Sequence, residues 1–173
     1  MPGDDMREIP LTQGKVAIVD DEDFEELSKY KWHASRGRHT FYAIRTLGKH
    51  PHMQTIHMHR EILKPPLLLL CDHINHDGLD NRRCNLRICT YSQNLWNQRL
   101  QGGTSVYKGV YFDKRRNKWQ AYITPKPKGE RQHLGRFAKE IDAALAYDNA
   151  AAKFFGEFAR LNFPEEGINA NAT

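Results

Sequence analysis

The chain has 173 residues, a mass of 20.1 kDa, a formal net charge of +5 and a pI near 9.1. That length allows one ordinary domain or two small ones, at about 100–200 residues per domain, and 39% hydrophobic with 27% charged residues exclude wholesale disorder. The longest apolar run, Leu67 to Cys71, is far short of the ~20 residues of a membrane span, nothing resembles a signal peptide, and three cysteines without a Cys-x-x-Cys pair argue against a disulfide scaffold or a four-cysteine zinc site.

These features predict a soluble protein of a reducing compartment, cytoplasmic and not secreted, with no membrane partner. Charge is unevenly distributed. Asp4 to Glu26 carries −7, Lys29 to Lys64 +7, Pro65 to Gly103 +1, Thr104 to His133 +6 and Leu134 to Thr173 −2. Two basic stretches around a nearly neutral middle read either as patches that meet a polyanion such as DNA or as ordinary solvated surface.

In chain order, Lys15 to Val19 is a short β-prone run, and the acids that open Asp20 to Leu27 suit a helix N-terminus. Tyr30–His33 and Phe41–Arg45 are aromatic and β-branched and predict strands separated by Ser35–Thr40. Gln54–His57 predicts another strand, leading into a short helix Met58–Leu63 that Pro65 and Pro66 stop. Leu67 to His73 reads as a strand ending in two chemically able groups. An Asn-, Asp- and Gly-rich loop follows from Ile74 to Asn85, then a second strand Leu86–Thr90 and a helix Gln93–Leu100 capped by Ser92. Gln101 to Ser105 looks like a linker. Val106–Phe112, Lys118–Thr124 and Arg131–Phe137 predict three strands. In the second of these, Trp119, Ala121 and Ile123 face a helix while Gln120, Tyr122 and Thr124 face outward. Ala138–Phe155 predicts that helix, with Ile141, Ala144, Leu145, Ala151, Ala152 and Phe155 on one face and Gly156 ending it.

The middle of the chain carries the chemistry. Asp72 and His73 stand together at a strand end, Asn85 precedes the second strand, and Asn94 lies on the following helix. A hairpin with a helix packed across it brings Asp72, His73 and Asn94 toward one point. Phosphodiester hydrolysis needs a base to activate water and a cation to stabilise the leaving oxygen. His73, with an ordinary pKa of ~6.5, suits the base. A carboxylate and an amide oxygen suit a hard cation such as Mg²⁺, and Asn85 suits a loop lock through backbone hydrogen bonds. A competing arrangement places zinc on His57, His59 and His76 with Cys71 or Cys84, though the spacing is irregular.

These residues resemble the HNH (ββα-metal) nucleases, in particular the small homing endonucleases of mobile elements and phages. The matching stretch runs from about His57 to Asn97: His59-Arg60, Asp72-His73-Ile74-Asn75, Leu79-Asp80-Asn81-Arg82-Arg83, Asn85-Leu86-Arg87 and Gln93-Asn94. The resemblance implies His73 as general base, Asn85 as the loop-ordering catalytic-site residue, and Asp72 and Asn94 as ligands of one divalent cation, Mg²⁺ with Mn²⁺ able to substitute. Asn stands where the family's last His stands, a variant familiar in this branch. Asn97 is a candidate for a supporting contact, and Asn81 is a rival to Asn85.

The segment Ser105 to Pro164 resembles the DNA-binding domain of Apetala/ethylene-response-factor type plant regulators, through Tyr107-Lys-Gly-Val110, Lys118-Trp-Gln-Ala-Tyr-Ile123, His133-Leu-Gly-Arg-Phe137, Ala143-Ala-Leu-Ala-Tyr-Asp148, Ala150-Ala-Ala152 and Leu161-Asn-Phe-Pro164. In that family a three-stranded sheet enters the major groove. The resemblance puts DNA contacts on Lys108, Tyr111, Arg115, Arg116, Gln120, Tyr122, Thr124, Arg131 and His133. Lys108, Tyr111, Thr124 and His133 depart from the family's usual residues, so the base preference is not transferable.

The expected architecture is α+β: a ββα-metal HNH nuclease core (about 57–100, within a domain 1–101), a linker 102–105, a three-stranded antiparallel sheet packed on one helix (106–164), and a tail 165–173. The expected function is a metal-dependent homing endonuclease acting on double-stranded DNA, without an organic cofactor, monomeric, in the cytoplasm of a bacterial or phage-infected cell. The alternatives are a non-enzymatic DNA-binding regulator with a decayed nuclease core, and a general defence or repair nuclease.

Overall fold

The structure is a computed structural model that describes residues 6–98, 103–126 and 129–164. The end of the expected helix at Leu100, the start of the linker and the 165–173 tail lie outside the described residues. The chain is mixed α and β, with four small sheets and four α-helices among the described residues. It divides into two compact units, Met1–Thr90 and Tyr91–Thr173. The division falls after Thr90, ahead of the helix that the sequence grouped with the N-terminal domain.

In the first unit β1 (Met6–Pro10) pairs antiparallel with β2 (Val16–Asp20). The run from Lys15 became β2. β1 has no sequence signature, because its apolar Met6 and Ile9 are three apart and break the two-residue alternation of a strand. It forms by pairing with β2 and burying Ile9. Helix α1 (Asp21–Leu27) follows, with Asp21, Glu22 and Asp23 in its first turn, where the helix dipole favours acids.

A second sheet holds β3 (His33–Arg36), β4 (Phe41–Leu47) and β5 (Gln54–His57) in that order. The strand expected at Tyr30–His33 starts three residues late. Trp32 instead turns into the core and donates its indole N–H to Leu27 O at 2.8 Å, closing the end of α1. The strand then takes in Ser35 and Arg36, which the sequence placed in a loop.

Helix α2 (Met58–Leu63) ends at Lys64, whose φ of 45° is left-handed, and Pro65-Pro66 prevent continuation. The hairpin β6 (Leu70–His73) and β7 (Leu86–Cys89) completes the unit. The strand expected from Leu67 loses its first three residues to a turn, in which Leu69 N–H bonds Pro66 O at 2.9 Å and Leu67 and Leu68 stand 93% and 89% exposed. One core of Ile9, Ala17, Val19, Leu27, Trp32, Ala43, Met58, Ile62 and Leu86 joins these elements.

The second unit begins with α3 (Tyr91–Trp96), which includes Ser92 instead of being capped by it. Strands β8 (Val110–Asp113), β9 (Lys118–Ile123) and β10 (Gln132–Phe137) form an antiparallel sheet ordered β10-β9-β8, with a bulge between His133 and Gly135. Helix α4 (Glu140–Phe155) ends at Gly156, whose φ of 54° favours glycine.

The buried face of α4 is rotated from the one expected. Ala143, Ala144, Tyr147, Asp148, Ala151 and Phe155 are buried, whereas Ile141 and Leu145 are 52% and 38% exposed and Ala152 is exposed. Close approach selects this face: alanines bring the helix onto β9, and Tyr147 fills the space over Gly109. A Cβ on Gly109 would lie 1.9 Å from the Tyr147 ring, and its φ of +78° independently requires glycine. Asp148, an acid inside this face, accepts bonds from Asn162 N–H (2.9 Å), Asn162 Nδ2 (3.0 Å) and Phe163 N–H (2.8 Å), which ties down the Leu161-Asn-Phe-Pro164 segment.

Candidate active site and nucleic-acid interface

The end of β6 carries two buried polar groups, Asp72 and His73. Successive strand residues point to opposite faces, and both faces are covered here. Asp72 lies opposite Arg87 in the hairpin register. Its Oδ2 accepts from Arg87 Nε at 3.0 Å and Nη2 at 2.8 Å. His73 Nε2 lies 3.4 Å from Asn81 Oδ1. Around the His73 ring stand His59, edge-on at 5.0 Å between centroids, and Tyr42 at 5.9 Å. His57 lies 5.2 Å beyond His59.

Burial holds the pKa of His73 below its ordinary value, so the ring is neutral at neutral pH. Burial, reinforced by His73, His57 and Arg60, pushes His59 down to about 3. Among the described residues, the Nδ1 atoms of His57 and His59 are buried without a hydrogen-bond partner.

The loop between the strands is organised by asparagines. Asn85 Nδ2 donates to Asp80 O at 2.7 Å, its Oδ1 accepts from Asn75 N–H at 2.9 Å, and its own carbonyl accepts from Ile74 N–H at 2.9 Å. One residue therefore ties the loop's beginning to its end. Asn81, fully buried, donates Nδ2 to Leu79 O at 3.1 Å and presents Oδ1 to His73, so the two asparagines hold different places around the same loop.

The N-terminal strands hold this loop from outside. Ile18 N–H donates to Leu79 O at 2.9 Å, and Asn81 N–H donates to Ile18 O at 2.7 Å. Asp20 accepts from Arg83 N–H at 2.7 Å, and Asp23 takes the Arg83 guanidinium at 2.8 and 2.7 Å. Part of the acidic N-terminal stretch thus pairs with the loop. Gly78 closes the arrangement against β4, where a Cβ would meet Phe41 O at 2.5 Å.

Tyr42 is not marked by the sequence pattern, because it lies thirty residues before Asp72 and outside the matching stretch. Arg87 stood within the motif but had no role assigned; the hairpin register that faces it to Asp72 was the available signal. Asn94 lies on α3, in the second unit, and Asn97 is buried just beyond that helix. The zinc arrangement does not form: among the described residues no three His, Cys, Asp or Glu side chains are placed to share a metal.

On the second unit's sheet, Arg131 lies over both Tyr111 (4.1 Å) and Tyr122 (4.0 Å), and Tyr122 meets His133 edge-on at 5.0 Å. Gln120, expected to face outward, is only 8% exposed, because neighbouring side chains cover it: its Nε2 donates to Asp113 Oδ2 at 2.6 Å and its Oε1 accepts from the Tyr122 hydroxyl. Asp113 also shapes the β8–β9 turn, accepting from Arg115 N–H (3.0 Å), Arg116 N–H (3.3 Å) and Arg116 Nη1 (3.0 Å). Those bonds, led by Arg116, hold its carboxyl below the ordinary range. Arg115, Arg116 and Thr124 are exposed. Lys108 is partly buried, with its ammonium donating to the carbonyls of Trp96 and Gln98.

Residues 105–157 match the AP2 domain family. Over 151 residues, 87% of this chain and 76% of the relative, the sequence is 29% identical to an uncharacterized HNH endonuclease of Acanthamoeba polyphaga mimivirus. It is 45% identical over 73 residues to dehydration-responsive element-binding protein 2C of Arabidopsis thaliana, covering 42% of this chain and 21% of that protein. It is 44% identical over 61 residues to an AP2-like ethylene-responsive transcription factor of the same plant, covering 35% of this chain and 12% of that protein. No solved structure matches. The chain therefore carries an AP2 domain at residues 105–157, which implies a DNA partner, and is similar along most of its length to an HNH endonuclease.

Proposed function

We propose that this protein is a metal-dependent DNA endonuclease of the HNH homing type, in which Asp72, His73, Asn85 and Asn94 carry the hydrolysis and the AP2 domain selects the target. The observation that carries the reading is the pairing of a buried, neutral His73 with a carboxylate, Asp72, at one strand end, held by a loop that Asn85 closes on itself. A proton on Nε2, donated toward Asn81 Oδ1, leaves the lone pair on Nδ1. Nδ1 then takes a proton from water as its oxygen attacks phosphorus and the bond to the leaving oxygen breaks. Tyr42 and His59 fix the plane of the ring and exclude bulk water from its faces.

Asp72 and Asn94 are the residues that would hold the cation. A carboxylate and an amide oxygen fit a hard divalent ion that keeps water and phosphate oxygens as its other ligands. Such an ion supplies charge stabilisation at the phosphate and the leaving oxygen.

The Asp72–Arg87 pair favours a second reading, a DNA-binding regulator with a decayed nuclease core, because Arg87 competes with a cation for that carboxylate. Supercoiled plasmid separates the two. Nicking or cutting with Mg²⁺ or Mn²⁺ that EDTA abolishes is expected. Intact plasmid in both metals, with DNA still bound, establishes the regulator.

A further inference from the structure

Lys108 is the one basic residue of the expected DNA-contact set whose ammonium bonds to this chain's own carbonyls among the described contacts. Two of its three protons go to Trp96 O and, at 3.0 Å, to Gln98 O. These carbonyls lie at and just beyond the end of α3, where a helix leaves its acceptors without internal donors. A cation there also complements the negative end of the helix.

The side chain is aimed from a fixed base. Lys108 N–H donates to Asn162 Oδ1 at 2.7 Å and Lys108 O accepts from Asn162 Nδ2 at 3.2 Å, while Asn162 is itself held by Asp148. A second contact holds the same helix: the Trp96 ring stacks on Phe155 at 4.7 Å and 15°, within the cluster of Ile123, Tyr147, Ala151 and Phe155. α3 also borders the aromatic part of the sheet, since a cavity of about 380 Å³ is lined by Trp96, Lys108, Tyr111, Tyr122 and Arg131 together.

We propose that Lys108 is a positioning residue, which with the Trp96–Phe155 stack fastens the Asn94-bearing helix α3 to the AP2 module and does not contact DNA phosphate. The inference rests on the nuclease reading for its consequence, that docking of the sheet on DNA and placement of Asn94 are a single event. Its structural half stands without that reading. Burial lowers the Lys108 pKa to about 8, consistent with an ammonium withdrawn from solvent.

The test uses the full chain with Lys108→Met, compared with Lys108→Arg and Trp96→Leu. Hydrogen exchange over residues 91–98 should quicken about tenfold in Lys108→Met and Trp96→Leu, while exchange in β8–β10 holds. Affinity for a target DNA fragment should stay within about twofold in both, and the slope of log K against log salt should not change. Cleavage at saturating DNA should fall at least about tenfold in both, with Lys108→Arg failing to restore it because the larger guanidinium does not fit the same two carbonyls.

A phosphate contact gives the opposite pattern: a slope reduced by about 0.9, weakened binding that Lys108→Arg rescues, and unchanged exchange at 91–98. That result overturns the proposal. If the wild-type chain binds DNA and never cuts it, the nuclease reading fails, and the exchange and salt measurements still decide where the Lys108 ammonium sits.

Discussion

The two units place polar groups in opposite ways. In Met1–Thr90 the groups with chemical potential are inside: Asp72, His73, Asp80, Asn81 and Asn85 are buried, each in a network of side-chain or backbone bonds. In Tyr91–Thr173 the core clusters are alanine and aromatic residues with Val110 and Ile123, the buried Asp148 serves to tie down the Asn162–Phe163 segment, and the charged side chains lie on the sheet's other face, where Arg131 spans Tyr111 and Tyr122 and Arg115 and Arg116 are exposed. A buried network fixes distances, because each member left unpaired costs about 1–3 kcal/mol. An exposed face keeps its charges available to a polyanion. The first arrangement suits bond-making chemistry at a point, and the second suits contact along a surface.

The sharpest way to break this contrast is to remove the buried base. His73→Ala is expected to lower single-turnover cleavage by a factor of about 10²–10⁴ while leaving DNA binding intact. A plasmid assay with metal checks the first and a gel shift the second, and undiminished cutting removes His73 from the mechanism.

The second unit is most exposed to failure at its closest packing. Gly109→Ala puts a Cβ 1.9 Å from the Tyr147 ring at a φ of +78°, and is expected to destabilise the module by about 3 kcal/mol. Thermal unfolding measures this.

A third prediction concerns the buried histidines. His59 stays neutral in the folded state down to about pH 3, against an ordinary value of 6.5. Its contribution is therefore complete above about pH 6.5 and is lost as pH falls from there toward 3, at about 1.4 kcal/mol per pH unit. Unfolding curves between pH 7.5 and 5 should show stability falling with acidity, and His59→Phe should shallow that slope.

The smallest expected effect is on the exposed face. Neutralising Arg115 and Arg116 together should weaken DNA binding several-fold and reduce the salt slope by about 2, with cleavage at saturating DNA unchanged. A salt slope equal to wild type would mean that this turn does not meet phosphate.

Much of the fold was legible. β5, α2, β7 and β9 fell within a residue or so of expectation because Gly, Pro and aliphatic alternation mark them locally. Errors arose where a distant contact overrode the local pattern. β1 is defined by its partner β2, and Trp32 left its expected strand to close α1. The buried face of α4 was set by the room above Gly109, not by the largest apolar residues, so Ile141 and Leu145 stayed out. At the candidate site, the motif located Asp72, His73 and Asn85 along the chain. Tyr42, the asparagine bonds and the acids that pair with Arg83 join residues up to 63 positions apart.

The opening charge of +5 shows the same division. By itself the sequence determined which residue types the chain carries, in what order, and hence the two likenesses that rest on order, to AP2 domains and to an HNH endonuclease. Only the tertiary structure decided where each charge is used. Acids of the −7 stretch pair with Arg83 beside the loop, the Arg87 guanidinium meets Asp72, and the Lys108 ammonium meets the carbonyls after α3, while Arg115 and Arg116 remain at the surface. The reason is physical: a charge's worth depends on its distance to partners and its exposure to water, and both are set by folding.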